Sequence, residues 1–142
     1  MVLENIMDFD PRIQCDAIFT LVNLSADDAF CHIVIEQYDI LPTLLKLVKD
    51  SKSRNSDKAA AILSNFTKNP VAAGKIWKLL ENEMVELLAI YQKISYNTEN
   101  QKLDHLGALF ANLTQCPKAR LFCKYTIYLK LQMYILKIES KY

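Results

Sequence analysis

Apolar residues recur along this chain at the three- and four-residue spacing of an amphipathic helix, and three stretches share one pattern. Each stretch contains Asn, then Leu or Phe, then Ser or Thr. Each also has a bulky apolar residue two places before the Asn, and Ala or Leu six places before it. The stretches are residues 17–25, 59–67 and 106–114. Because these apolar positions fall on one stripe, each stretch predicts a helix with one buried face.

The asparagines of the three stretches mark an internal repeat. Asn23, Asn65 and Asn112 are 42 and 47 residues apart, which matches the roughly 40–47-residue period of armadillo and HEAT units. The sequence therefore predicts an all-α fold, an armadillo- or HEAT-like right-handed superhelix of about three repeats. We expect residues 1–124 to form this domain, with the inner helix of each repeat carrying one Asn.

Further helices are predicted between these stretches. Residues 40–48 and 83–91 are amphipathic, and shorter helices are expected to begin at Asp28, Pro70 and Pro117. The pairs Asp10-Pro11 and Asn69-Pro70 are typical of helix starts, because the first residue caps the orphan N–H groups and Pro fits the first turn. The pair Ser56-Asp57 is a further start signal, ahead of the second Asn stretch. Residues 49–55 and 95–101 are polar and predicted to be loops.

The composition narrows the class of protein. Half of the residues are hydrophobic, and the formal net charge is only +1, so phosphate neutralisation is not the expected mode of binding. No signal peptide and no run of 18 apolar residues is found, which predicts a cytoplasmic protein. The four cysteines (Cys15, Cys31, Cys116 and Cys123) form no CxxC pair. They are predicted to be reduced thiols within helices.

The strings around the asparagines resemble one family. These are Leu-Val-Asn-Leu-Ser-Ala-Asp at 21–27, Leu-Ser-Asn-Phe-Thr at 63–67 and Leu-Phe-Ala-Asn-Leu-Thr-Gln at 109–115, followed by Ala119 and Arg120. They resemble the eukaryotic HGH-homolog family of cytosolic armadillo-like proteins over roughly residues 10–124. The resemblance implies a co-chaperone that recruits translation elongation factor 2 to the chaperonin TRiC/CCT.

Two departures from the family are visible. The chain opens almost directly on the last helix of a repeat, and after Lys124 the sequence no longer resembles the family. We therefore expect either a truncated form of a longer repeat protein or a fragmentary gene model. Residues 125–142 form a divergent tail whose alternating apolar residues at 127–135 suit a strand. We expect this tail to cover the apolar face of the last repeat.

Asn23, Asn65 and Asn112 are the leading candidates for a partner-binding site. At about 100° per residue each lies roughly 130° from the centre of its apolar stripe. Such an Asn, with amide donors and an acceptor, suits hydrogen bonding to an extended peptide in a concave groove. Alternatively, each Asn ties its own helix end or a neighbouring loop. The sequence leaves both readings open.

Charged residues seven places before each Asn are expected on the same face. Asp16, Lys58 and His105 occupy these positions, and their mixed signs could select a partner by electrostatic complementarity. The alternative is an ordinary solvated helix face. Lys118 and Arg120 could pair with an acidic client segment, although a C-terminal loop charge is the simpler interpretation.

The sequence predicts no catalytic, metal or cofactor site. Cys31-His32 and Asp104-His105 are adjacent pairs, and sequence neighbours on a helix point about 100° apart, so neither makes a nucleophile–base pair. Two histidines and four dispersed cysteines offer no zinc spacing. With only two glycines, the chain has no phosphate-binding loop. We therefore expect a binding protein rather than an enzyme.

Two other functions remain as alternatives. A peptide-recognition module of the importin or catenin kind would need Trp–Asn pairs along its groove, and the sole tryptophan, Trp77, lies outside the Asn stretches. A helical-repeat nucleic-acid binder is disfavoured by the near-zero net charge.

Overall fold

The computed structural model describes residues 10–94 and 101–126, and every regular element in these two ranges is helical. The all-α prediction is confirmed for this part of the chain. The elements are α1 (Pro11–Leu24), α2 (Asp28–Gln37), α3 (Leu41–Lys49), α4 (Ser56–Phe66), α5 (Pro70–Leu80), a 3-10 turn (Glu81–Glu83), α6 (Met84–Ile94), α7 (Gln101–Leu113) and α8 (117–126).

Side-chain caps fix three of the helix starts. Asp10 accepts a hydrogen bond from the backbone N–H of Arg12 at 2.9 Å, and Asp27 accepts one from Phe30 at 2.8 Å. Asn69 accepts from the first-turn N–H groups of α5. Such caps satisfy orphan donors and contribute about 1 kcal/mol each. The predicted starts at Pro11, Asp28 and Pro70 are confirmed.

Helix α4 lies at the centre of the described structure. It packs against α1, α3 and α7, and buries Ala59, Ala60, Ala61, Ile62, Leu63, Ser64 and Phe66. The stripe predicted from the sequence is fully buried in this helix. Burying one large apolar side chain contributes about 1.5–3 kcal/mol, so the packing of α4 against α1, α3 and α7 is the main source of cohesion. Of these helices, α1, α4 and α7 carry the repeated Asn.

The other helices cover this central group. Helix α2 packs against α4 and α5, while α5 and α6 both pack against α7. Helix α8 contacts α5 through Phe122, whose ring meets Trp77 edge to face with the centroids 5.5 Å apart. The same geometry joins Tyr91 of α6 to Phe110 of α7 at 5.4 Å. Edge-to-face pairs add about 0.5–1.5 kcal/mol beyond their buried area.

Leu24 departs from the predicted pattern. It was expected on the buried stripe of α1 together with Ala17 and Leu21, yet its side chain is 46% exposed. The equivalent residues, Phe66 in α4 and Leu113 in α7, are buried. Leu24 is exposed because, within the described residues, α1 packs mainly on α4 and therefore has a neighbouring helix on one side only.

Several sequence predictions concern residues outside the described ranges. The predicted strand at 127–135 and most of the predicted loop at 95–101 lie there, although Gln101 is already the first residue of α7. Helix α8 continues past Lys124 to residue 126. The first two residues of the predicted tail therefore belong to a helix.

Candidate protein-binding surface

The predicted Asn ladder, consisting of Asn23, Asn65 and Asn112, lies on α1, α4 and α7. The side-chain nitrogen of Asn65 donates to the hydroxyl oxygen of Ser25 at 2.9 Å. Ser25 is the C-terminal cap residue of α1 and is only 1% exposed. Its own hydroxyl donates to the carbonyl oxygen of Val22 at 2.7 Å. Asn65 therefore ties α4 to the end of the preceding Asn helix.

Asn112 makes the same link one sequence repeat later. Its side-chain nitrogen donates to the carbonyl oxygen of Ser64 at 3.1 Å and lies 3.4 Å from the hydroxyl oxygen of Thr67. Thr67 is buried at the end of α4 and donates to the Leu63 and Ser64 carbonyls. Gln115 adds weaker bonds to the carbonyl oxygens at 67 and 68. The sequence suggested a tie to the Asn's own helix end or to a neighbouring loop; Asn65 and Asn112 bond the C-terminal end of the preceding Asn helix instead.

Asn23 stands at the first position of the ladder and is exposed. The role of the ladder in binding a partner stays a prediction, but the geometry restricts how it would work. The hydrogen bonds of Asn65 and Asn112 use the amide nitrogen. The amide oxygen, which accepts from backbone N–H groups, takes no part in these bonds.

Ser25 and Thr67 are hydrogen-bond partners of the ladder that the sequence reasoning missed. Each lies two places after a ladder Asn, in the Ser/Thr position of the repeated pattern. The Asn and Ser/Thr positions of the repeated pattern were both visible in the sequence. The sequence did not predict that these two side chains bond each other. The structure shows that the Asn of one stretch bonds the Ser/Thr end of the previous stretch.

The structure places Asp16, Lys58 and His105 in different surroundings. Asp16 is exposed and lines a groove of about 500 Å³ between α1 and residues 53–55, which neither of the other two lines. Lys58 and His105 are half-buried, and the Nζ of Lys58 lies 3.8 Å from Asp57, its neighbour in sequence. The groove also contains Asn55, which is 4% exposed and donates to the Gln14 side chain at 3.3 Å.

Lys102 is a buried cation that the sequence did not predict. It is 7% exposed at the start of α7, and its amine donates to the carbonyl oxygen of Val48 at 2.6 Å. Ser56 donates to the same oxygen at 3.1 Å. A cation at the C-terminal end of α3 is favoured by the helix dipole. Burial nevertheless lowers the pKa of Lys102, and Asp50 and Asp57 partly oppose that shift.

Ion pairs also join elements far apart in sequence. Lys49 at the end of α3 bonds Glu83 in the 3-10 turn and lies 2.7 Å from Glu86 in α6. The two carboxylates raise the pKa of Lys49. Lys118 and Arg120 lie in α8 rather than in the predicted C-terminal loop, and Arg120 donates to the carbonyl oxygen of Thr114 at 3.1 Å.

Cys31 is a buried thiol near the start of α2. Burial, followed by the nearby Asp28 and Asp27 carboxylates, raises the pKa of the Cys31 thiol to about 11. Its Sγ donates to the carbonyl oxygen of Ser25 at 3.0 Å. In residues 10–94 and 101–126 no three His, Cys, Asp or Glu side chains are grouped so that they could hold a metal ion. Among the same residues, no helix has the length and hydropathy needed to cross a membrane.

Comparison with known proteins identifies relatives of one name. Protein HGH1 homolog of Danio rerio is 32% identical over 117 residues, which cover 80% of this chain and 31% of that protein. The Xenopus laevis protein of this name is 31% identical over 124 residues, 86% of this chain and 35% of the relative. The Drosophila melanogaster protein is 26% identical over 126 residues, 82% of this chain and 34% of the relative.

No protein-family profile and no solved structure matches the chain. The chain spans about a third of the length of the curated relatives that it matches. The matches are spread over vertebrate and insect proteins that share one name and cover most of the chain. The sequence comparison therefore supports a relationship between this chain and the HGH1 homolog family.

Proposed function

We propose that this chain is a protein-binding adaptor of armadillo type, in which α1, α4 and α7 are successive inner helices of a right-handed superhelix. The observation that carries the proposal is the repeated link from a ladder Asn to the end of the previous Asn helix. A link that recurs at the sequence period is what stacked repeats require, because each unit contacts only its neighbours. Such stacks offer an extended surface for a partner.

The specific role we propose is that of a cytoplasmic co-chaperone, with translation elongation factor 2 as client and the chaperonin TRiC/CCT as the second partner. The sequence relationship to the HGH1 homologs supports this role, because the resemblance to that family implies it. The binding surface would comprise the Asn ladder together with Asp16, Lys58 and His105. Mixed charges on such a face contribute mainly to the specificity and rate of association.

A non-enzymatic role fits the chemistry of the described residues. The buried Cys31 thiol is held protonated by its surroundings, whereas a nucleophilic cysteine needs a lowered pKa. His32 is an exposed residue whose Nδ1 lies 3.2 Å from Glu36 on the same helix. Neither arrangement joins a nucleophile to a base, and we propose binding as the whole activity.

The importin or catenin kind of peptide recognition is the weaker candidate. That mode would place a tryptophan beside a ladder Asn in the groove. Trp77 instead belongs to α5, is 1% exposed and packs against Phe122. We therefore prefer the recognition of a folded or folding client by the helix face.

Binding of purified elongation factor 2 to the immobilised full chain tests the proposal. We expect saturable binding that weakens by about tenfold or more in a variant combining Asp16→Lys, Lys58→Glu and His105→Glu. The matched control combines Asp39→Lys, Lys46→Glu and Gln37→Glu, three changes of the same sign pattern on exposed positions elsewhere. Equal loss of binding in both variants would argue that the ladder face is not the binding surface. A cytosolic pull-down that recovers neither elongation factor 2 nor the chaperonin would remove the co-chaperone role.

A further inference from the structure

A second groove, of about 490 Å³, lies between α5 and the start of α8. We call it the lysine groove, defined by Gly74, Lys75, Lys78, Pro117 and Lys118 with Val71 and Trp77. None of the ladder residues lines it. Its occupant is therefore a question separate from the client of the Asn ladder.

Gly74 keeps the groove open. It lies in the middle of α5, where glycine destabilises a helix by about 0.5–1 kcal/mol relative to alanine. Its backbone has no positive φ, and a Cβ built there would meet nothing within 4 Å. At Gly107, by contrast, the added Cβ would touch Tyr91 at 3.6 Å. The packing of the described residues thus gives no reason for glycine at position 74, and its effect is to leave space above the helix.

The rim of the groove is positively charged. Lys75, Lys78 and Lys118 line it together with no acidic residue. Lys75 lies 2.5 Å from Glu36 of α2, while Lys78 and Lys118 are exposed. The positive end of the α8 dipole, which begins at residue 117, adds to this field. The groove near Asp16, in comparison, combines acidic and basic side chains.

The floor of the groove is apolar. Val71 is 64% exposed and Pro117 is also exposed, while Trp77 borders the groove with only 1% of its surface exposed. The indole nitrogen of Trp77 is buried and has no hydrogen-bond partner among the described residues. A buried donor of this kind is uncommon in folded proteins. The groove therefore combines an open apolar site with the exposed amines of Lys78 and Lys118, while Lys75 is paired with Glu36.

We propose that the lysine groove binds an acidic peptide segment of a partner protein. A bulky apolar side chain of the peptide occupies the space above Gly74, and flanking carboxylates face Lys78 and Lys118. The apolar anchor supplies affinity by desolvation in a pocket. The carboxylates supply orientation and association rate. This site is additional to the ladder face, so its test does not depend on which client that face binds.

Fluorescence anisotropy with a labelled peptide tests the proposal on the full chain. The probe is a fluorescein-labelled Glu-Asp-Glu-Phe-Glu-Asp-Glu peptide, and a second peptide replaces Phe by Ala. Binding is also followed without a label through Trp77, the single tryptophan of the chain. We expect saturable binding of the Phe peptide, a change in Trp77 emission, and weaker binding of the Ala peptide. The absence of saturable binding would overturn the proposal.

Gly74→Leu fills the groove without a clash at Cβ and favours the helix. We expect this variant to bind the Phe peptide at least about tenfold more weakly, with a melting temperature equal to or above that of the wild type. Retention of wild-type affinity would show that the groove is not the site. A separate thermal melt confirms that the variant is folded.

Charge reversal provides the second arm of the test. The pair Lys78→Glu and Lys118→Glu should weaken binding by about tenfold or more, because each cation becomes a repelling carboxylate. The control pair, Lys46→Glu and Lys52→Glu, makes the same change in net charge at exposed positions away from the groove. Equal weakening by both pairs would indicate a general charge effect and overturn the proposal. The proposal would also be overturned if a single-stranded oligonucleotide displaced the labelled peptide at a lower concentration than the unlabelled peptide does.

Discussion

The side-chain nitrogen of Asn65 lies 2.9 Å from the hydroxyl oxygen of Ser25, 40 positions earlier in the chain. Asn112 bears the same relation to Thr67, 45 positions earlier, at 3.4 Å. The two polar positions of the repeated Asn-x-Ser/Thr pattern are therefore partners across neighbouring helices. The second stretch thus donates to the first and accepts from the third, so the repeated pattern itself supplies the contacts between these helices.

Replacing Asn65 by Ala should lower the free energy of unfolding by about 1–2 kcal/mol, because the buried Ser25 hydroxyl loses its donor. Urea denaturation measures this change. In a double-mutant cycle with Ser25→Ala, the coupling energy should be about 0.5–1.5 kcal/mol.

Asn23→Ala is the matched control for this cycle, since Asn23 has the same place in the repeat but is exposed. Its effect should stay within about 0.5 kcal/mol. A cost at Asn23 equal to that at Asn65, or no coupling between Asn65 and Ser25, would show that the hydrogen bond does not stabilise the helix interface.

The buried amine of Lys102 should make stability depend on pH. Burial holds the pKa of Lys102 below its unfolded value of 10.5, so the unfolded chain binds more protons between the two pKa values. The free energy of unfolding therefore rises with pH across that window. We expect the stability of the wild type, measured relative to Lys102→Met by urea denaturation, to increase as the pH approaches 10.5 from below.

Lys49→Met serves as a control of opposite sign. Glu83 and Glu86 raise the pKa of Lys49 above 10.5, so its stabilising contribution is present below pH 10.5 and is lost as the pH rises through the raised value. The stability of the wild type relative to Lys49→Met should therefore fall above pH 10.5. The same slope for both lysines would contradict the assigned environments.

The Cys31 thiol should resist alkylation in the folded protein. With a pKa of about 11, about one thiol in a thousand is ionised at pH 8, and the thiolate is the reactive form. Iodoacetamide labelling followed by mass spectrometry should modify the partly exposed Cys15 and Cys116 first. Cys31 should react at a comparable rate only in denaturant. Equal rates for the three thiols in the native state would refute this burial.

Gly74→Ala should stabilise the protein by about 0.5–1 kcal/mol, because alanine reduces the entropy lost on forming α5 and its Cβ meets open space. Chemical denaturation of the full chain measures the gain. A loss of stability would mean that the space above Gly74 is filled in solution.

The helices and their starts were predictable because their signals are local. Asp10-Pro11 and Asn69-Pro70 are neighbours in sequence, and the caps they form depend on nothing more distant than the first turn. The buried stripe of α4 was likewise predictable from its spacing. The exposure of Leu24 was not, because the same stripe in α1 has fewer neighbours within the described residues.

The site was predictable only in part, for a related reason. Periodicity fixed the face on which Asn65 lies, but its hydrogen-bond partner depends on how α4 packs on α1. The burial of Lys102 beneath the end of α3 joins residues 54 positions apart, and no local pattern marks a lysine for that place. The lysine groove arises in the same way, since its walls come from α5 and the start of α8.

Helix α4 has no exposed residue, in contrast to α2, most of whose residues face solvent. A helix enclosed in this way opens only when the helices around it separate, whereas peripheral helices can fray alone. Its backbone amides should therefore exchange with deuterium at the rate set by global unfolding, and those of α2 much faster. The middle of the described chain would in that case be the last part to lose its structure.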